Sequence, residues 1–249
     1  MRRGSARHMS LILALETATT ACSAALCAAD GAVVAEAVTL EGPAHAGSLL
    51  PGVHDVFTAS GASWADVVTV SVGLGPGAFT GLRIGVATAR ALAQADGAVE
   101  LVGVPTAAAL ALALAGAPEA AGRGVVPLID GKRSEVFAAV YTAPPGGLAI
   151  EIVDDVRVIK ADDLGEWLTA LGEVVTGGDA AVLYADRLPA SARRAAAVPV
   201  PTAAMIGRAA ALGVPGLVSG PDAVLPLYGR VPDAAPWVAP ASPSAPRRS

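Results

Sequence analysis

The sequence predicts an α/β protein built from two like lobes with a cleft between them. Three observations carry this. The chain opens with three short apolar runs followed by helical periodicity, and a similar order starts again near residue 124. Each half also holds a β-branched run that ends in a glycine-rich turn. With 249 residues, 53% hydrophobic and 16% charged, there is enough chain for one large domain or two lobes with a buried core.

The elements follow in order. "LILALE" from Leu11, "ACSAALCA" from Ala21 and "AVVAEAVTL" from Ala32 read as an antiparallel three-stranded meander. Asp30-Gly31 supplies the hairpin signal between the second and third runs. From Ser48 the period becomes helical through Leu49, Val53, Val56 and Phe57, and Gly61 closes that helix. "VVTVSVGL" from Val67 reads as a strand buried on both faces. The turn "GLGPGAFTGLR" follows, then a helix from about Gly81 to Ala95, a short strand "LVGV", and an alanine-rich helix from Pro105.

Pro118 and the glycines at 122 and 124 mark a boundary. Beyond it, "VVPLID" from Val125, "EVFAAVYTA" from Glu135 and "LAIEIVDDVRVI" repeat the three strands. A helix around Asp162 to Leu171 and the run "GEVVTGG" complete the repeat. The division expected from this order is a first lobe over 9–117 and a second over 124–231. Residues 1–8 are expected to be an extension, Met9 being a candidate start, and the proline-, alanine- and serine-rich 232–249 a disordered tail.

Composition and spacing narrow the function classes. The net charge is −5 and the body of the chain has no dense basic cluster, which argues against a protein that binds nucleic acid by itself. Glu16 and the threonines after it cut the first apolar run short, so no signal peptide is expected, and "AAALALALAGA" is too short to span a bilayer. Cys22 and Cys27 fall on opposite faces of one strand, which prevents a disulfide and fits a reducing cytoplasm. His45 and His54 have no second histidine at helical ligand spacing, so no metal site is expected and both read as surface or capping residues. Neither Gly-x-Ser-x-Gly nor a nucleophile–base pair is present.

Two features could carry chemistry. A glycine turn that feeds a helix leaves backbone N–H groups at a helix N-terminus, where an anion can bind. Gly75 and Gly77 would cradle it, Thr80 would be the N-cap, and Arg83 would add charge. The competing reading is turn geometry alone. Glu16 and Asp130 close the first strand of each half, and could hold a magnesium–phosphate group across the cleft. Alternatively, each caps its own hairpin turn. The helix after the glycine turn has small residues at Gly85, Ala87, Ala89, Ala91 and Ala93, which suits either a tight core or a subunit interface.

"GLGPGAFTGLRIG" resembles the G-x-G-P-G-S-F-T-G-[LV]-R-I-G signature of the TsaB (YeaZ) family of tRNA threonylcarbamoyladenosine biosynthesis, departing only at Ala78. "ILALETATTACSAAL", "HAGSLLPGVHDVF", "GVPTAAAL", "LIDGKRSEVFAAVY" and "VLPLYGRVP" are similar to further family segments in the same order. The resemblance implies an actin-like and Hsp70-like (ASKHA) fold with ribonuclease H-like lobes. It also implies a non-catalytic partner that pairs with the transferase TsaD and works with the ATPase TsaE, reaching tRNA only through that complex. Homodimers through the same surface are a family alternative.

By the same analogy the helices from Ser48 and Gly81 form the interface, with His45, Leu49, Phe79, Arg83, Val86, Ala89 and Arg90 as candidates. The transferase's H-x-x-x-H pair is broken here, since Leu49 stands four residues after His45. Glu16, Gly75, Gly77, Thr80, Arg83 and Asp130 would be a vestigial nucleotide site, or one completed at the joint with TsaD, where ATP or ADP would bind. Ala78 in place of serine and Glu16 in place of the commoner aspartate weaken nucleotide binding by this chain alone. An ATP- and magnesium-dependent enzyme on the same fold is the alternative function.

Overall fold

A computed structural model describes residues 10–229 apart from 41–44, 145–148 and 199, and leaves out the side chains of 45 and 46. The extension expected at 1–8 and the tail expected at 232–249 lie outside the described residues.

The meander is formed by β1 (Leu11–Glu16), β2 (Cys22–Ala28) and β3 (Val33–Thr39), paired antiparallel. Gly31 takes φ +84° at its turn and Asp30 Oδ1 accepts from Ala32 N at 3.0 Å, as Asp-Gly turns require. Helix α1 (His45–Ser60) starts three residues before the expected Ser48. Strand β4 (Val67–Gly73) then lies parallel to β1, helix α2 (Phe79–Asp96) follows, β5 (Glu100–Val104) lies parallel to β4, and α3 (Thr106–Ala115) leaves the sheet.

The second half repeats this. Strands β6 (Gly124–Lys132), β7 (Glu135–Thr142) and β8 (Glu151–Lys160) form the meander. Helix α4 (Leu164–Leu171), strand β9 (Val174–Gly177), the short helix α5 (Asp179–Leu183), strand β10 (Ala192–Arg194), helix α6 (Ala203–Leu212) and strand β11 (Val218–Ser219) complete it. The sheet orders are β11-β5-β4-β1-β2-β3 and β10-β9-β6-β7-β8. Without β11, the two lobes share one order and one pattern of parallel and antiparallel pairs.

Alternation along each strand explains the layering. Leu11, Leu13 and Leu15 point toward α1 and α2, whereas Ile12 and Ala14 join a core with α3 and α6. That middle core also takes Val125, Ile129, Phe137 and Tyr141 from the second sheet, so α3 and α6 are held between the sheets. Val126, Leu128, Val136 and Ala138 face outward under α4 and α5. Cys22 and Cys27 are both free and buried, one in each core of the first sheet; burial pushes the Cys27 thiol up to about 11.

The packing does not follow the division at 117 and 124. Helix α6 packs on β1 and β2 of the first sheet, and β11 pairs antiparallel with β5. The last stretch of the chain thus returns to the first lobe: β11 satisfies the backbone groups on the outer edge of β5, and α6 joins α3 over the apolar inner face of the first sheet.

Candidate functional site

The glycine turn is sealed by the chain itself. Leu74 N donates to the Val104 carbonyl at 2.8 Å, Gly75 N to Thr106 Oγ1 at 3.1 Å and Ala78 N to the Ala18 carbonyl at 2.7 Å. Thr106 N returns a bond to the Gly75 carbonyl at 2.8 Å. A Cβ at Gly77 would overlap the Ala18 carbonyl, one at Gly73 the Glu16 carboxylate, and one at Gly85 the Thr17 hydroxyl. Glycine is needed here so that the turn and the start of α2 can lie against the loop after β1. The N–H groups of Gly75 and Ala78, which a phosphate would use, are already committed. Ala78, not Thr80, is the N-cap of α2; Thr80 sits exposed in the first turn because the bond to Ala18 starts the helix two residues early.

Glu16 is fully buried. Its carboxylate accepts from Thr17 N at 2.7 Å, Ala18 N at 2.6 Å and Thr106 Oγ1 at 2.9 Å. Burial raises its pKa above the ordinary carboxylate value, against the pull of those three bonds. It clamps the end of β1 to the glycine turn and the start of α3, and does not open to the cleft.

Asp130 is placed differently. Strand β6 runs through it to Lys132 instead of ending there, and Lys132, Arg133 and Ser134 make the turn with φ of 61°, 52° and 58°. Lys132 Nζ lies 2.6 Å from Asp130 Oδ2. Asp179, at the start of α5, accepts from Asp130 N and Ala180 N, both at 3.0 Å. Burial, and then the neighbouring Asp130, pushes the Asp179 carboxyl up to about 6.

A pocket of about 420 Å³ joins these residues to Thr20 of the first lobe and to Val182 and Leu183. A phosphate entering it would meet two carboxylates and a lysine already paired with one of them. Glu16 and Asp130 are therefore not brought together as a magnesium–phosphate clamp. Among the described residues, no group of three or more His, Cys, Asp or Glu side chains is arranged to hold a metal ion. Sequence reasoning missed Asp179, although it directly follows the second glycine turn, the repeat's counterpart of the first.

The interface candidates divide between the two faces of the helices. Leu49 is 2% exposed, Val86 4% and Ala89 0%, so all three belong to the core beneath the first sheet. Gly85, Ala89 and Ala93 line that buried face, while Ala87 and Ala91 lie on the outer one, so the small residues do not form a single stripe. The side chain of His45 lies outside the described residues.

Phe79, 55% exposed, stacks on Tyr228 with ring centroids 4.8 Å apart, and the Arg83 guanidinium lies 5.2 Å from the Phe79 ring. A shallow groove of about 430 Å³ continues from them along Ala87, Arg90 and Ala91, with Pro226 on its rim. Leu227 N donates to the Leu74 carbonyl at 2.7 Å and fixes the segment that carries Tyr228. Tyr228 falls within the "VLPLYGRVP" segment, but local sequence does not place it beside Phe79.

Two lobes that repeat one strand order and share their inner helices define an actin-like α/β protein with ribonuclease H-like lobes. Residues 32–161, more than half the chain, match the family model described as TsaD, tRNA N6-adenosine threonylcarbamoyltransferase. A TsaB named as a tRNA threonylcarbamoyladenosine biosynthesis protein of Escherichia coli is 39% identical over 55% of this chain and 57% of its own length. The Bacillus subtilis TsaB is 31% identical over 65% of this chain and 66% of its own. An uncharacterized Mycobacterium tuberculosis protein, Rv3421c, is 31% identical over 92% of this chain and 96% of its own. The solved YeaZ from Pseudomonas aeruginosa superposes with a TM-score of 0.68 at 30% identity, covering 88% of this chain and all of that one. The chain belongs to the TsaB (YeaZ) family. It spans little more than half the length of the Escherichia coli relative.

Proposed function

We propose that this chain is a non-catalytic partner subunit in threonylcarbamoylation of the adenosine beside the anticodon, in tRNAs that read codons beginning with A. It acts in the cytoplasm by docking on TsaD and activating it together with TsaE. Family membership supports the pathway, and one structural observation supports the mode of action. The carboxylate and glycine turn that could have done chemistry are consumed by internal bonds, whereas the opposite face of α2 presents Phe79 and Arg83 outward, with Tyr228 from the end of the described chain stacked on Phe79. Aromatic and arginine side chains are the commonest anchors of protein interfaces. Leu49, where TsaD would place its second metal-binding histidine, is buried in the core. Any ATP or ADP belongs at the joint with TsaD, because the Gly75 and Ala78 N–H groups of the glycine turn are already bonded within the chain.

Reconstitution tests the reading. TsaD and TsaE should modify tRNA when this chain is added and fail without it, and the chain alone should neither modify tRNA nor turn over ATP. Equal activity without it, or turnover by the lone chain, overturns the proposal. Phe79→Ala combined with Arg83→Glu should weaken the complex with TsaD by at least about tenfold and leave the melting temperature within about 2 °C.

A further inference from the structure

A second apolar concavity lies apart from the acidic pocket, on the other side of Tyr228 from the groove along α2. It has a volume of about 520 Å³ and is walled by Pro76 of the glycine turn, Pro105 before α3, Pro215 after α6, Tyr141 of β7, and Ile152 and Asp155 of β8. Ile152 is 46% exposed. The volume is that of an ordinary ligand pocket, but its walls, prolines and tyrosine with a single carboxylate at the edge, suit an aromatic or proline-containing peptide better than a polar metabolite.

The last described residues form one wall of it. Leu227, Tyr228 and Gly229 line the pocket, Leu227 is tied to Leu74, and Gly229 packs against Phe137 and Pro76. The chain therefore leaves for its final twenty residues, 230–249, from the pocket's own rim. That segment reads "RVPDAAPWVAPASPSAPRRS". Its one aromatic, Trp237, stands between Pro236 and Val238, and it carries three arginines against one aspartate, opposite in sign to the net −5 of the whole chain.

We propose that this segment docks on its own chain, with Trp237 seated in the proline-lined pocket and Arg230 beside Asp155. Reach is no obstacle. The eight residues from Gly229 to Trp237 extend to at most roughly 29 Å, and the segment starts on the pocket wall. Tethering holds the local concentration near the millimolar range, so weak contacts suffice for occupancy. The prolines restrict the free segment and reduce the entropy lost on docking.

Trp237 can be read alone in the full chain carrying Trp64→Phe and Trp167→Phe. Its emission should be blue-shifted, and acrylamide quenching should rise at least about threefold when Ile152→Arg is added. This protection should be unchanged by dilution. Emission like that of free indole, or quenching indifferent to Ile152→Arg, overturns the proposal. Protection that vanishes on dilution assigns the pocket to a second copy and overturns it too. A second readout does not depend on those tryptophan variants. Ile152→Cys with Val238→Cys should form an intramolecular disulfide, whereas Val33→Cys on the far edge strand, with Val238→Cys, should not. The native thiols at 22 and 27 are buried and stay silent. No disulfide, or one that links two chains, counts against the proposal.

Discussion

The two lobes share a topology but use their matching turns differently. In each, the turn after the fourth strand lies against backbone of the first strand or the loop just after it: a Cβ at Gly77 would strike the Ala18 carbonyl, and one at Gly178 the Leu128 carbonyl. In the first lobe this turn launches the 18-residue α2, and the carboxylate of the first strand is sealed beneath it. In the second it launches the five-residue α5, and Asp130 and Asp179 line an open pocket. One backbone device therefore supports two outcomes. Where the following helix is long, its inner face becomes core and its outer face an exposed surface; where it is short, polar groups remain at the cleft.

The sharpest way to break this parallel is at the glycines. Gly77→Val and Gly178→Val should each destabilise the protein by about 4 kcal/mol, since backbone cannot yield as a side chain can. A mild effect at either, measured by urea unfolding, would end the comparison. Next comes the clamp. Glu16→Ala strands two backbone N–H groups and the Thr106 hydroxyl, with an expected loss of about 3 kcal/mol; Glu16→Gln, which keeps an acceptor, should lose less than half of that.

An effect of similar size is expected at Asp179, and it depends on pH. Its folded value of about 6 stands above the ordinary 3.8. The folded state thus binds this proton more tightly than the unfolded one. That contribution is full below about pH 4 and is lost as pH rises to about 6. Asp179→Asn titrates no proton, so its stability relative to wild type should climb by about 3 kcal/mol as pH rises through that window and then level off. A flat difference would show that the carboxyl is not held in a desolvated site. Smallest of all, Lys132→Ala should shift stability by less than about 1 kcal/mol, because Lys132 is half exposed.

Much of the fold was legible because alternation and glycine punctuation are local signals. The meander, the doubled order and the buried β4 all follow from them. The site was less legible. Thr80 looks like a cap from its neighbours, but the start of α2 is set by a bond to Ala18, sixty residues earlier in the chain. The charged and polar stripe of α2, Arg83, Arg90 and Gln94, marks its outer face locally, whereas the family analogy draws the inward-facing Val86 and Ala89 into the interface. Phe79 was a candidate from its motif, whereas its partner Tyr228 comes from the far end of the described chain.

The sequence by itself determined the two-lobed α/β order, the family, and the absence of histidines at metal-ligand spacing, because each is written in short-range spacing. Tertiary structure alone decided that Glu16 is a buried clamp and Asp130 a cleft residue, that Leu49, Val86 and Ala89 face inward, and that α6 and β11 return to the first sheet. The physical reason is the same in each case. Burial and hydrogen-bond partnership belong to pairs of residues far apart in the chain, and local pattern does not encode which distant surface will cover a given face.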